Sequence, residues 1–496
     1  MYNRKYLNII VLLFIFSFIY PADLHFNEDS FSIPWLIPFL GILLSIAIVP
    51  LINPSFWHHH YGKISAFWGI LFFLCFAISF SPQLIILGLL EVYLHEFLPF
   101  IMLLLALFVV SGGILIEGKL VGSPKLNFII LFIGTILASI MGTTGASMLL
   151  IRPIIRANHW RKNKLHIIIF FIFLVSNVGG SLTPIGDPPL FLGYLKGVDF
   201  FWTMKHMALP MIIVSSLLLI FFVLIDSYYF KKEKHKSPNT ENLNISIKGK
   251  FNFILILVII GAVLLSGSES LKHSFFIGPN GFINYPAEIM TNGILIQILI
   301  LSIVSLVSWK FTSKEIRSKN VFTWEPIKEV GKLFATIFLT MLPAITMLKS
   351  FNKENSPLHF LSKLINDDNG NAITSMYFWL TGILSSFLDN APTYVVFFST
   401  AKTNLKSLAE SNDMTAVEAL MDWDMAGGGG LTLLAISCGA VFMGAMTYIG
   451  NAPNFMVKSI AEENDIKMPS FFGFMLYSVL ILIPIFVLIN FLFFKG

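Results

Sequence analysis

Hydrophobic residues run along this chain in blocks, and polar residues fall either between the blocks or at a few places inside them. Apolar runs cover residues 7–20, 33–52, 64–80, 97–116, 206–230, 251–268, 288–309, 330–350 and 470–494. Runs of roughly 18 or more apolar residues read as membrane-spanning helices. Four further apolar stretches are interrupted: 126–158 at Met141-Gly-Thr-Thr-Gly-Ala146, 166–196 between Gly179 and Pro189, 373–400 at Asp389-Asn-Ala-Pro392, and 430–458 around 447–454. Two of the interruptions are near copies, Thr183-Pro-Ile-Gly-Asp-Pro-Pro189 and Thr447-Tyr-Ile-Gly-Asn-Ala-Pro453. Lipid cannot hydrogen-bond freed backbone groups, so a helix broken at that depth must line a cavity or an ion site. One such break in each half of a chain marks a secondary transporter built from a repeat.

Basic residues orient the spans. Clusters at 152–164 (Arg152, Arg156, Arg161, Lys162, Lys164), at 231–236 and at 310–319 (Lys310, Lys314, Arg317, Lys319) belong in the cytoplasm, as do Arg4 and Lys5. Four spans bring the chain back inside at Lys119 and Lys125. A full crossing by 126–158 would then put the cluster at 152–164 outside. A re-entrant hairpin with its tip at Gly142-Thr-Thr-Gly145 removes the conflict, and 373–400 reads as a second hairpin opening outward. The acid-rich segment 401–428 (Glu410, Asp413, Glu418, Asp422, Asp424) agrees with an outside location. The expected fold is an all-α polytopic membrane protein of about eleven transmembrane helices, with two inverted-topology repeats, two re-entrant hairpins and two broken helices. Residues 1–32 form an N-terminal span, 33–230 the first repeat, 231–250 a cytoplasmic linker and 251–496 the second repeat. The run at 7–20 is short enough for a signal peptide; a retained span is preferred because the rest of the chain needs no export signal. The protein is placed in the inner membrane, N-terminus cytoplasmic and C-terminus periplasmic.

Composition agrees. Of 496 residues 56% are hydrophobic and 12% charged, half the charge of a soluble domain. The net charge of +5 sits in loops and sets topology, so the lipid bilayer is the expected partner and nucleic acid is not. Cys75 and Cys438 both lie in apolar stretches and imply neither a disulfide framework nor a cysteine metal site. No nucleotide-binding motif is visible, for Gly427–Gly430 lacks the Gly-Lys-Ser/Thr ending of a phosphate loop. No convergent nucleophile and base point to an enzyme.

The four interruptions converge at mid-membrane depth, where half-helix N-termini attract anions and freed carbonyls coordinate cations. Hydroxyls, amides and one carboxylate suit Na⁺, a hard ion. The candidates are Thr143, Thr144 and Ser147; Asn177, Ser181 and Thr183; Asn390 and Thr393; and Thr447, Asn451 and Asn454. Asp187 and Asp389 are the carboxylates within the breaks. An intramembrane carboxylate marks an ion site, a proton relay or a substrate counter-charge, although each also fits as a helix N-cap. For Asp187 the functional reading is preferred, because Pro188 and Pro189 already start the helix. Glu91, His95 and Glu96 read as a solvated helix end, His58-His-His60 as a loop facing headgroups, and Glu117 as a residue near the cytoplasmic opening.

At Ser176-Asn-Val-Gly-Gly-Ser-Leu-Thr-Pro-Ile-Gly-Asp187, Leu388-Asp-Asn-Ala-Pro-Thr393 and Ile449-Gly-Asn-Ala-Pro-Asn454 the chain resembles the ion transporter superfamily of ArsB/NhaD type. Within it the resemblance is to NhaD-type sodium/proton antiporters and CitMHS-like citrate transporters, and His95-Glu-Phe97 and Ser111-Gly-Gly113 extend it. It implies ion ligands at hairpin tips and broken helices, an essential Asp187, Asn177 and Asn451 lining the site, and a homodimer. The antiporter branch carries an Asp-Asn pair at the first hairpin tip, where this chain has Thr143-Thr-Gly145, and Pro188-Pro189 is nearer the arsenite and citrate side.

Two functions follow. The first is Na⁺/H⁺ antiport without a bound cofactor, with Asp187, Asn177, Asn390 and Asn451 as Na⁺ ligands and with Asp187 and Asp389 alternating between proton and cation. The alternative is cation-coupled carriage of citrate or another small carboxylate. The lack of Arg or Lys within a break favours antiport.

Overall fold

A computed structural model describes residues 26, 30–118, 120–233, 246–275, 277–278, 283–284, 290–367, 370–425 and 428–495. The expected span at 7–20 and most of the expected linker lie outside these residues. The protein is an all-α polytopic membrane protein: among the described residues ten helices are long and apolar enough to cross a bilayer. Sheet is limited to an antiparallel pair, β1 (Leu115–Glu117) with β2 (Ser246–Lys248), and a parallel two-residue pairing of Ile277–Gly278 with Ile283–Asn284.

The first half comprises α1 (Ile37–Ile52), α2 (Pro54–Ser79), α3 (Pro82–Ser111), a hairpin of α4 (Pro124–Met141) and α5 (Thr143–Ala157), a broken helix of α6 (Leu165–Leu174) and α7 (Pro188–Leu195), and α8 (Phe200–Lys231). The second half repeats the series: α9 (Phe251–Ser266), α10 (Asn292–Phe311), α11 (Glu325–Leu348), a hairpin of α12 (Thr374–Leu388) and α13 (Asn390–Asn404), a broken helix of α14 (Gly429–Met443) and α15 (Ala452–Glu463), and α16 (Phe471–Phe493). Starts are set by polar caps followed by proline, whose missing N–H costs nothing in a first turn. Asn53 caps α2 before Pro54, Ser81 caps α3 before Pro82, and Ser123 caps α4 before Pro124.

Two expectations are corrected by these caps. Because α2 begins at Pro54, His58, His59 and His60 are helical, and the rings of His59 and His60 bond the carbonyls of Ser55 and Phe56 one turn back. Because α3 begins at Pro82, Glu91, His95 and Glu96 lie within a helix, in a π-helical turn spanning Glu91–Phe97, not at a solvated end. Hydropathy placed that start too late because three titratable residues sit inside the span.

Both hairpins double back. The N–H of Gly122 donates to the carbonyl of Ala157 at 2.7 Å, so the ends of the first hairpin meet. Asn366, before α12, exchanges amide hydrogen bonds with Asn404 at the end of α13. The tips share one backbone conformation, Gly142 at φ 79°, ψ 150° and Asp389 at φ 74°, ψ 142°. The bonds holding each break also repeat. Thr183 Oγ1 donates to Ser139 O as Thr447 Oγ1 does to Ser386 O, and Ser139 Oγ donates to Gly179 O as Ser386 Oγ does to Met443 O.

The described residues of the basic clusters share one face. There Asp226 of α8 accepts from Arg161 (2.6 Å), His166 (2.8 Å) and Asn127 (3.0 Å), and Arg156 donates to Ile116 O. Leaving Arg161 buried without Asp226 would cost roughly 3–5 kcal/mol. Lys248 and Lys319 clamp Glu117 on the same face, and hydrogen bonds from Lys248 first and Lys319 second pull its carboxyl down to about 2. Glu117 is therefore a fastener, not a residue open to the cavity described below. At the far end of α8, roughly 36 Å away at 1.5 Å per residue, Trp202 Nε1 donates to Met421 O. The halves interlock: α1 and α2 pack on α11, while α9 and α10 pack on α3.

Candidate functional site

Four half-helices begin at one place. The tips of both hairpins and both breaks bring the N-termini of α5, α7, α13 and α15 around the Asp187 carboxylate, which is buried. Thr143 Oγ1 and Asn451 Nδ2 each donate to Asp187 Oδ1 at 3.0 Å, and Asn390 Nδ2 donates to Oδ2 at 2.6 Å. All three donors are neutral, and no lysine or arginine touches this carboxylate among the described residues. Asn451 also donates to Ser176 O at 3.1 Å, tying the second break to the first.

Asn177 and Asn454 form a second layer. Asn177 Nδ2 donates to Asn454 Oδ1 at 2.7 Å and to Ile172 O at 2.8 Å. Asn454 Nδ2 donates to the carbonyls of Gly444 and Thr447. Two amide oxygens of the site are left over: Asn177 Oδ1 and Asn390 Oδ1 are buried with no hydrogen-bond partner. An unmatched buried acceptor costs about 1–3 kcal/mol, so these two oxygens are the groups of the site whose hydrogen bonding the protein itself does not complete.

The breaks thus unite Asp187, Asn177, Asn390, Asn451 and Asn454. The remaining candidates lie elsewhere. Asp389 lines the cavity but accepts from the N–H of Ala391. Thr393 bonds Asp389 O one turn back, Thr183 bonds Ser139 O, and Ser147 shares a hydrogen bond with Ser176, so none of the three reaches Asp187. Thr144 lines the cavity while its neighbour Thr143 holds the carboxylate. The repeat was the signal that picks out Thr143, since it is the first residue after the tip, as Asn390 is in the second hairpin.

A cavity of about 430 Å³ leads from Asp187 toward the basic face. Its charged lining is Asp187, Asp389, Glu325, Glu329 and Glu463 against His58 and Arg152. Glu329 accepts from Trp57 Nε1 at 2.9 Å. Away from the cavity, Lys196 at the end of α7 is ion-paired at 2.6 Å with Glu96 in the π-helical turn of α3. No group of three His, Cys, Asp or Glu residues suited to a resident metal occurs among the described residues.

Residues 28–494 match the model of the CitMHS_2 family, whose description is "Putative citrate transport". The chain belongs to this family. No curated protein matches the sequence. Family membership over nearly the whole length, with the helical fold, makes this a membrane transporter of the secondary type.

Proposed function

We propose that this CitMHS_2 protein exchanges an alkali cation, Na⁺ in the first instance, for protons at Asp187. The observation that carries the reading is a buried carboxylate held only by neutral donors, at the end of a cavity with five carboxylates and a single guanidinium. Such a lining draws cations and repels a tricarboxylate. One carboxylate cannot hold a proton and a cation together, and that competition couples the two fluxes. Positive-inside reasoning places the cavity on the cytoplasmic side, so this conformation faces inward.

The second reading, cation-coupled carriage of a small carboxylate, is favoured by the family description and by Arg152, whose buried Nη1 has no partner. Reconstituted vesicles separate the two. A pH-dye response evoked by Na⁺ or Li⁺, with no uptake of labelled citrate, supports exchange; citrate uptake without that response replaces it with the second reading.

On either reading the Glu96–Lys196 pair joins the half-helix bearing Asp187 to α3 and holds the far side shut. In a Cys75→Ser background, Ser459→Cys places a thiol on the cavity wall. Adding Glu96→Gln is expected to cut its labelling by an impermeant maleimide from the basic face by up to about fivefold, the shift in the inward/outward equilibrium for a partly exposed pair worth about 1 kcal/mol. The swap Glu96→Lys with Lys196→Glu restores labelling. Equal labelling in all three proteins removes the gate.

A further inference from the structure

The cavity holds two walls apart. On one side α5 packs against α15, and on the other α11 packs against α2. Arg152 of α5 lines the first wall, and its Nη1 is buried with no hydrogen-bond partner. Glu329 of α11 lines the second, with Oε1 held by Trp57 Nε1 at 2.9 Å. The charges that act on Arg152 are those of Glu463 and Arg156, whereas those that act on Glu329 are His58 and Glu325. Each wall therefore carries its own charged group, and neither group acts on the other across the cavity.

On the opposite face the corresponding elements of the first repeat are already joined. There α3, the counterpart of α11, reaches α7, the counterpart of α15, through the 2.6 Å pair of Glu96 with Lys196. Matching the two breaks, Thr183 with Thr447, sets Lys196 against Ile460 in the second repeat. The half-helix α15 thus offers no cation at that position. Arg152 offers one from the helix packed beside it. It lies nine residues past Thr143 as Ile460 lies nine past Asn451, so both stand roughly 13 Å from the site along helices that start there.

Alternating access moves one bundle of a repeat transporter against the other around a fixed site. Here the motion that opens the outer side brings α11 onto α15. Closure takes water from both walls, and a carboxylate buried there without a partner is strongly disfavoured. His58 cannot supply the partner, because it already stands beside Glu329 on the same wall. Arg152 is the one other cation of the lining among the described residues.

The geometry points to an inner gate: Arg152 and Glu329 pair across the cavity when it closes, and they hold the outward-facing state as Glu96 and Lys196 hold the inward-facing one. The unpartnered Nη1 is half of a bond that the inward-facing conformation leaves open. The pair serves whichever ion Asp187 carries, and it gives Arg152 a role other than holding a carboxylate substrate.

Trapping of the closed state tests the pair. In a Cys75→Ser background, Leu333→Cys on α11 and Ile460→Cys on α15 put thiols on facing walls of the cavity. Copper phenanthroline joins them only when the walls meet, because a disulfide needs Cβ atoms about 3.5–4.5 Å apart. Arg152→Gln is expected to slow the joining at least about tenfold, since closure then strands Glu329. Glu329→Gln should slow it similarly from the other wall. Both substitutions together leave no charge to strand, and joining should recover to within about twofold of the parent. Arg152→Lys, which keeps the charge, should join at close to the parent's rate. Should Arg152→Gln not purify, Glu329→Gln and Arg152→Lys carry the test. An unchanged rate in either glutamine variant, a double variant slower than both singles, or no joining in the parent overturns the gate. Citrate uptake that Arg152→Gln abolishes at an unchanged joining rate assigns Arg152 to substrate and overturns it as well. The expected joining pattern in a parent without a Na⁺-evoked pH response supports the gate and overturns the exchange reading instead.

Discussion

Replacing Asp187 with asparagine is expected to reduce cation-evoked proton movement in vesicles to the background of empty liposomes, while the protein still purifies as a folded species. The two side chains have nearly the same shape, so packing at the convergence of α5, α7, α13 and α15 is retained. What disappears is the single ionisable group that three neutral donors enclose, Thr143, Asn390 and Asn451. The substituted amide keeps one oxygen to accept from two of them, but its NH₂ faces a third donor, so one hydrogen bond is lost. That loss is offset by the removal of a charge that burial disfavours, and the thermal midpoint in detergent is expected to stay within a few degrees of the wild type. Loss of exchange with an intact midpoint assigns the coupling to this carboxylate. Residual exchange would move the proton-carrying role to another acid, and Asp389 is the next along the cavity wall.

Asp389→Gly has a less usual expected result, higher stability with loss of transport. At φ 74°, ψ 142° Asp389 occupies backbone space that costs a residue with a side chain about 1–3 kcal/mol. The equivalent tip of the first hairpin has glycine in the same conformation. Glycine at 389 removes the strain, and its loss of the Asp389–Ala391 cap costs a few tenths of a kcal/mol. Its greater unfolded-state freedom takes back roughly 0.5–1 kcal/mol. The balance favours the variant by between nothing and about 2 kcal/mol, and Asp389→Ala, which keeps the strain without the carboxylate, should be the least stable of the three. A fold that retains a strained acid at a cavity wall gains something other than stability from it, so exchange in Asp389→Gly should fall well below the wild type. A variant that is less stable than Asp389→Ala would refute the strain, and one that transports normally would refute the role.

The architecture was legible wherever hydropathy and charge agreed. Parity of the basic clusters demanded that 126–158 turn back, and the Gly122–Ala157 hydrogen bond is that turn-back seen in space. Helix starts were less readable. Polar residues within a span, such as the histidines at 58–60 and the acids at 91 and 96, lower local hydropathy as a loop does, and only Asn53-Pro54 and Ser81-Pro82 betray the true boundaries. At the site, the near copies at 183–189 and 447–453 identified the breaks, yet they could not say which hydroxyl turns inward. Thr143 and Thr144 are chemically alike and both line the cavity, and helical phase alone decides that the first bonds Asp187. Asp226 escaped notice because one acid in a long apolar run gives no pattern, and its partners Arg161, His166 and Asn127 come from three separate elements.

The reciprocal clasp, with α1 and α2 on α11 and α9 and α10 on α3, bears on how the protein is made. The first six elements leave the ribosome with one flank of α3 bare, and its cover is not synthesised until α9 and α10 emerge. Neither half can mature by itself. A gene split between codons 233 and 246 should yield a working transporter only when both fragments are produced in the same cell, and each fragment alone should be degraded.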